Sequence, residues 1–203
     1  MADSLTAVQT EHSRHSDEKL WSIYRTGNQQ ALSIIYSRHV KPLYAYGRKF
    51  NADGDVVKDC IQDLFSELMQ KSTSVSETAS VKNYLMKSLR RKLLAESHKR
   101  VMWPLSADYA FELIPSIEEQ LIETQMNQEA ASQVRKAITQ LTNRQQEIIY
   151  LKFYHDLDNQ SIAEVMTLTY PAVCNLISKS LKSIRAILAN SLFLLFLLTI
   201  DRF

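Results

Sequence analysis

The sequence contains few residues that interrupt helices, with three glycines and four prolines among 203 residues. It also lacks any long run in which apolar and polar residues alternate, which is the pattern of a half-buried strand. With 45% hydrophobic and 23% charged residues, its composition is typical of a globular protein rather than a disordered chain. These features predict an all-α protein whose length suits one or two domains with real hydrophobic cores.

Residues suited to chemical reactions are also sparse. The two cysteines, Cys60 and Cys174, form no CxxC pair, and the five histidines are scattered without metal-ligand spacing. The sequence contains no glycine-rich motif for binding phosphate. We therefore expect no enzyme activity, no metal, no cofactor and no small-molecule substrate. Two cysteines and no apolar N-terminal signal segment favour a cytoplasmic location.

The formal net charge of +2 conceals a segregation of charge along the chain. Between residues 53 and 67 the charged residues are all acids except Lys58. Between residues 82 and 100 the charged residues are all basic except Glu96. Between residues 101 and 133 every charged residue is an acid. Such blocks suggest several different partners, and solvated helix faces are the simpler alternative.

Periodicity and turn residues divide the first half of the chain into helices, which we assign to a first domain over residues 17–100. The predicted elements are a polar tail over 1–16, helices from Asp17 and after Gly27-Asn28, a new helix from Pro42, a turn at 51–54, an amphipathic helix over 55–71, a polar loop over 72–80 and a helix from its cap Ser80 to about Arg100.

The last of these helices has two different sides. Val81, Leu85, Leu89 and Leu93 recur every four residues and predict a buried stripe. The opposite side is polar and basic, with an aromatic residue at its edge; its residues are Asn83, Lys87, Arg90 and Arg91, with Tyr84 at the edge. A cationic surface with an aromatic edge is typical of proteins that bind single-stranded or melted nucleic acid.

The second half begins with a predicted acidic linker over residues 101–122, in which the helical period is lost. A second domain over residues 123–189 contains two predicted helices, about 128–140 and 144–154, separated by Thr142-Asn143. It ends in a helix-turn-helix pattern, DNQSIAEVM, TLT and YPAVCNLISKSLKSIRAI, which begins at Asp158. Thr169 is placed to cap the second of those helices, with Pro171 in its first turn. Two helices at an angle, with the second exposed on one face, form the geometry that lays a recognition helix in a DNA major groove.

With these motifs in this order, the chain resembles bacterial RNA polymerase sigma factors of the extracytoplasmic-function (group IV) type. The resemblance covers about residues 18–188. It rests on the segments ALSIIYSRHVKPLYAYGRKF, DCIQDLFSEL, LTNRQQEIIYLKFYHDLDNQSIAEVM and YPAVCNLISKSLKSIR. It implies a transcription initiation factor that binds core RNA polymerase and directs it to promoter DNA. Thr167 departs from the pattern, because this family often has glycine there.

The resemblance also implies a role for each site. The residues implied to dock on the clamp helices of the polymerase β′ subunit are Asp59, Gln62, Asp63 and Phe65. The residues implied to open the −10 element and capture a flipped base are the loop 72–80 with Asn83, Tyr84, Lys87, Arg90 and Arg91. The residues implied to read the −35 element are Tyr170, Pro171, Ala172, Asn175, Ser178, Lys179 and Lys182. The second domain would also contact the β flap, and an anti-sigma factor, membrane-tethered in some cases, is a further expected partner.

Two other functions fit parts of the sequence. A stand-alone helix-turn-helix regulator with a dimerising or ligand-sensing N-terminal domain would share the C-terminal module but would not need the acidic and basic helices. A helical partner-binding protein without DNA activity would make Lys87, Arg90 and Lys179 dispensable. The apolar tail over residues 190–203 is either an extension of the last helix or a regulatory patch, and it is too short to span a bilayer.

Overall fold

The computed structural model describes residues 15–100, 109–113 and 128–200, and within them the chain forms eight α-helices and no strand. This confirms the predicted all-α class. The chain divides into two compact units with a boundary between Leu105 and Ser106. Nearly all of the predicted tail over 1–16 and most of the predicted linker over 101–122 lie outside the described residues.

The described part of the first unit contains four helices, and at the start of each one a side chain accepts a backbone N–H. They are α1 (Asp17–Arg25), α2 (Gln29–Phe50), α3 (Gly54–Gln70) and α4 (Val81–Arg100). Ser16, Asn28 and Asp53 cap the first three helices, and the Ser80 hydroxyl accepts the N–H of Asn83 at the start of the fourth. The predicted starts of α1 and α4 are therefore correct.

The prediction of a helix start at Pro42 is wrong, because α2 runs unbroken from Gln29 to Phe50. Proline removes one helical hydrogen bond, and packing on both sides of it compensates for that loss. Leu43 and Tyr46 are buried after the proline, and Ile35 is buried before it. Tertiary burial thus overrides the local break signal.

Two contacts fix α2 against its neighbours. The Asp17 carboxylate at the start of α1 lies 2.6 Å from both Arg38 Nη1 and His39 Nε2. Burial alone would raise the pKa of Asp17, but the hydrogen bonds from Arg38 and His39 outweigh burial and hold that pKa below its usual range. On the other side of α2, a Cβ at Gly47 would lie 2.5 Å from Val57 Cγ1, so glycine permits the close approach of α3.

Four helices also lie in the described residues of the second unit: α5 (Gln128–Thr139), α6 (Asn143–Phe153), α7 (Asn159–Met166) and α8 (Tyr170–Ile200). Thr142 and Gln145 form a reciprocal capping box at the start of α6. The three shorter helices all contact α8, and α7, the turn and α8 form the predicted helix-turn-helix. The Thr169 hydroxyl accepts the N–H of Ala172, as expected for the cap of α8.

The turn between α7 and α8 is held by a left-handed residue. Thr167 has φ 55° and ψ 52°, and the N–H of Leu168 reaches back to the Ala163 carbonyl at 2.9 Å. This arrangement is a Schellman motif, whose left-handed position favours glycine. Threonine, which is β-branched, is strained in that conformation.

We therefore expect Thr167→Gly to stabilise the second unit by about 1 kcal/mol, because relief of the left-handed strain exceeds the added backbone entropy of glycine. Calorimetry of the full chain should show one transition raised by about 4 °C. Thr167→Ala is the matched control, since it removes the same side chain and keeps a Cβ in the strained position. A Thr167→Gly protein no more stable than Thr167→Ala would contradict the strain argument.

The last helix continues beyond the recognition segment. It includes residues 190–200, so the apolar tail extends α8 up to Ile200. A search of the described residues finds no helix with the length and apolar character needed to cross a membrane. The regulatory role of the tail stays a prediction.

Candidate nucleic-acid interface

The start of α8 presents an exposed polar face. Tyr170 is 51% exposed, and the side chains of Asn175, Ser178, Lys179 and Lys182 on the same helix are also exposed. Of the residues predicted for the −35 element, Tyr170, Pro171, Asn175, Ser178, Lys179 and Lys182 are exposed and Ala172 is half-buried. The face offers an amide, hydroxyls and two ammonium groups, which are donors suited to base edges and phosphates.

The opposite side of α8 is anchored in the second unit. Val173 and Ser180 are fully buried, and the Ser180 hydroxyl donates to the Leu176 carbonyl at 2.7 Å. At the start of α7, the Asp158 carboxylate accepts the N–H of Ser161, and this hydrogen bond lowers the pKa of Asp158. The exposed face therefore sits on a helix whose rotation about its own axis is fixed.

The predicted −10 residues on α4 differ in solvent exposure, although the sequence predicted that they share one exposed side of the helix. Lys87 and Arg91 are exposed, Tyr84 and Arg90 are half-buried, and Asn83 is only 4% exposed. The prediction that Asn83 lies on the open side of the helix is wrong. Three helices pack against α4, so its buried surface is wider than the four-residue leucine repeat.

The polar loop between α3 and α4 begins with a single 3-10 turn over Ser72–Ser74. Val75 is buried, whereas Ser74, Ser76, Glu77 and Ala79 are exposed. Two side chains of α1 donate to this loop: Trp21 Nε1 to the Ser76 carbonyl at 3.1 Å, and Arg25 Nε to the Val75 carbonyl at 2.9 Å. These contacts could not be predicted from local sequence patterns, because they join residues 50 or more positions apart.

An aromatic cluster lies beneath the loop. The ring of Trp21 is 5.2 Å from that of Tyr24 and 5.0 Å from that of Tyr84, centroid to centroid. The Tyr24 hydroxyl donates to the Leu68 carbonyl at 2.5 Å, and burial, together with the nearby Tyr84, raises the pKa of Tyr24 to about 12. Tyr84, a predicted −10 residue, is therefore held by α1.

The predicted polymerase-binding residues all lie on α3, but they do not share one environment. Asp59, Gln62 and Asp63 are exposed, whereas Phe65 is buried and packs edge-on against Tyr36, with ring centroids 4.9 Å apart. Gln62 and Phe65 line a groove of about 910 Å³ between α2 and α3, and the two acids do not. The groove, not the acidic face, is the concave feature of this surface.

The groove has an apolar floor and a polar rim. Its apolar lining residues are Leu32, Tyr36, Val40, Ile61, Phe65 and Met69. Met69 is 57% exposed and Tyr36 43% exposed, which is unusual for side chains of this size. Lys41 and Lys58 belong to the rim. Tyr36 and Met69 were not among the predicted site residues. The sequence signal available for Met69 was the width of the apolar stripe on α3, which includes it.

The acidic and basic blocks partly neutralise each other. Glu67 of α3 and Lys92 of α4 form an ion pair at 2.5 Å, and the hydrogen bond from Lys92 lowers the pKa of Glu67. Within the acidic block itself, Lys58 forms an ion pair with Asp55 at 2.9 Å. The exposed cations Lys87 and Arg91 remain on the face of α4 that the sequence assigned to nucleic acid.

A short segment of the predicted linker belongs to the second unit. Phe111 and Leu113 are buried, and the ring of Phe111 lies 6.0 Å from that of Tyr150. The Tyr109 hydroxyl donates to the Glu147 carboxylate, and the Leu113 N–H donates to Gln146 Oε1 at 3.1 Å. The expectation that residues 101–122 act only as a connector is therefore too broad at residues 109–113.

Part of the chain matches a known family, and the fold is similar to solved structures that include the two described below. Residues 131–184 match the family described as sigma-70, region 4. The structure of CnrH in complex with the cytosolic domain of CnrY has a TM-score of 0.58 and 19% identity, covering 86% of this chain and 97% of that one. The sigma factor RpoE, in a complex with the anti-sigma factor NepR from Bartonella quintana, has a TM-score of 0.55 and 16% identity, covering 76% and 94%. At these identities the likeness concerns the fold. A comparison with curated protein sequences found no match.

Proposed function

We propose that this protein is a transcription initiation factor of the extracytoplasmic-function type, because residues 131–184 match the sigma-70 region 4 family. It binds core RNA polymerase and directs it to promoters through their −35 and −10 elements. The main support for this proposal is that the matched region contains the helix-turn-helix, with a polar exposed face on α8. The match agrees with the sigma-70 resemblance predicted from the sequence motifs over residues 131–184.

The −35 element is read by the exposed start of α8. Asn175 offers an amide that pairs with an adenine edge through two hydrogen bonds, and Lys179 and Lys182 bind phosphates. Tyr170 packs on a base methyl or bonds a phosphate. Support for this assignment comes from the exposure of these side chains and from the buried anchors Val173 and Ser180 on the opposite side of the helix.

The −10 element is opened at the loop 72–80 and α4. Extruding a base costs a few kcal/mol of stacking, so the protein must bind the extruded base or the separated strand. Exposed Lys87 and Arg91 supply cations for the strand, and Tyr84 supplies a half-buried ring beside the loop. Asn83 contributes by shaping the base of the loop rather than by direct contact, since it is buried.

Core polymerase docks on the groove between α2 and α3. An apolar groove with exposed Tyr36 and Met69 accepts the side of a helix, which is the form of the clamp helices of the β′ subunit. Asp59 and Asp63 flank it and select a basic partner surface. The second unit contacts the β flap.

An anti-sigma factor regulates the protein by competing for these surfaces. RpoE was crystallised with the anti-sigma factor NepR, and we extend that pairing to this chain as a proposal. The protein works in the cytoplasm without enzyme activity of its own, and the polymerase supplies the chemistry.

Reconstitution with bacterial core RNA polymerase tests this function. Purified protein, core enzyme and a library of promoter fragments are mixed, and the transcripts are sequenced. We expect start-site-specific transcripts only when the protein is present, sharing −35 and −10 elements. Binding to duplex DNA without binding to core or initiation would instead support a stand-alone regulator.

A further inference from the structure

The loop 72–80 has little hydrogen bonding of its own. Beyond the 3-10 turn, the Thr78 hydroxyl pairs with the backbone of Ser80, and Val75 provides one buried apolar anchor. The two ends of the loop are also bonded to the chain beside them, with the Val75 N–H donating to the Lys71 carbonyl and the Tyr84 N–H donating to the Ser80 carbonyl. Two further restraints on the loop backbone come from another helix. Trp21 and Arg25 of α1 donate to the consecutive carbonyls of Ser76 and Val75, respectively.

These two donors lie one helical turn apart on α1 and act on one stretch of loop. Arg25 also lies 3.8 Å from the Glu77 carboxylate, which is largely exposed and adds little. With the Val75 and Ser76 carbonyls directed towards α1, the side chains of Ser74, Ser76 and Glu77 face solvent. Helix α1 therefore determines which surface the loop presents.

Trp21 also connects the loop to the basic helix. Its indole N–H binds the loop, while its ring packs at 5.0 Å against Tyr84 of α4. One buried side chain thus sets the distance between the loop and the aromatic edge of α4. A pocket for an extruded base needs both of these sides at a fixed separation.

We propose that Trp21 and Arg25 are positioning residues for base capture at the −10 element. They hold the loop 72–80 in its binding conformation before DNA arrives, so that ordering the loop does not weaken capture of the base. The inference rests on the proposed function and adds to it two residues of α1 that touch no DNA themselves.

The test compares two loop variants with a matched control. Trp21→Phe keeps a ring in the aromatic cluster and removes the donor to Ser76. Arg25→Met keeps the apolar stem and removes the donor to Val75. The control Tyr24→Phe also removes one α1 donor, but its acceptor is the Leu68 carbonyl within α3 rather than the loop.

The readout is base preference within the holoenzyme. Single-stranded oligonucleotides carry the −10 element obtained by reconstitution, with the flipped base either present or replaced by an abasic site. We expect both loop variants to lose about tenfold affinity for the intact strand, with the intact-to-abasic ratio falling towards one. Affinity for core polymerase and for duplex −35 DNA should stay unchanged.

The control separates positioning from general stability. A merely destabilised protein would bind both oligonucleotides less well and keep their ratio, and Tyr24→Phe should behave that way. An unchanged ratio in the loop variants, or an equal fall in Tyr24→Phe, would overturn the proposal. A wild-type holoenzyme that shows no preference for the intact strand would overturn it together with the −10 assignment, before any variant is compared.

Discussion

Met69→Glu is expected to weaken binding of core RNA polymerase by about 30- to 1,000-fold, since the loss of one apolar anchor typically costs about 2 to 4 kcal/mol. Met69 is the most exposed apolar side chain of the groove between α2 and α3. The docked helix would remove water from a carboxylate at this position and would give it no cation or hydrogen-bond donor in return. Fluorescence anisotropy of labelled protein titrated with core enzyme measures the effect, and promoter-specific transcription should fall with it.

The neighbouring residue supplies the matched control. Gln70→Glu adds the same charge to the same exposed helix end, but Gln70 does not line the groove. We expect it to bind core polymerase within about twofold of the wild type, since an exposed charge at a rim has little effect on affinity. Both variants should fold with normal helix content and bind −35 duplex DNA normally. If the two variants weakened core binding equally, the effect would come from the added negative charge in general, and the proposal that the groove is the docking site would be contradicted.

The helices could be predicted because their signals are local. Ser80 and Thr169 were predicted as capping residues next to apolar periods, and each caps its helix as expected. The error at Pro42 has the opposite origin, since burial of Leu43 and Tyr46 stabilises a helix that the local sequence would interrupt. Local rules therefore fail where long-range packing is strongest.

The sites were less predictable than the fold, because a site depends on which side of a helix stays uncovered. The exposed face of α8 follows directly from its period, since one side alone is packed. Helix α4 packs against three others, and Asn83 is buried as a result. The hydrogen bonds of Trp21 and Arg25 end on backbone carbonyls, which every residue has, so no residue type marks their partners.

The segment 109–113 was predicted to be linker because prolines and acids surround it and no helical period crosses it. Its structural role comes from a single aromatic residue. Phe111 is fully buried against Tyr150, and hydrogen bonds from Tyr109 to Glu147 and from Leu113 to Gln146 hold the backbone on both sides of it. The sequence signal available was a pair of apolar residues, Phe111 and Leu113, with Glu112 between them.

Phe111→Ala is therefore expected to destabilise the second unit by about 3 to 4 kcal/mol, as for other buried phenylalanines. That is a large part of the 5 to 15 kcal/mol that typically stabilises a domain. The ring fills space against α6, and its loss also loosens the hydrogen bonds of Tyr109 and Leu113. Urea unfolding of the full chain measures the stability, and affinity for −35 DNA should fall at temperatures where the variant unfolds.

Glu112→Ala is the control, because Glu112 lies between the two buried residues and is itself exposed. Its unfolding free energy should stay within about 0.5 kcal/mol of the wild type. If Phe111→Ala behaved like Glu112→Ala, the segment would be a passive linker. If only Phe111→Ala is destabilised, residues 109–113 are a structural part of the second unit, and the segment predicted as linker includes residues on which the stability of that unit depends.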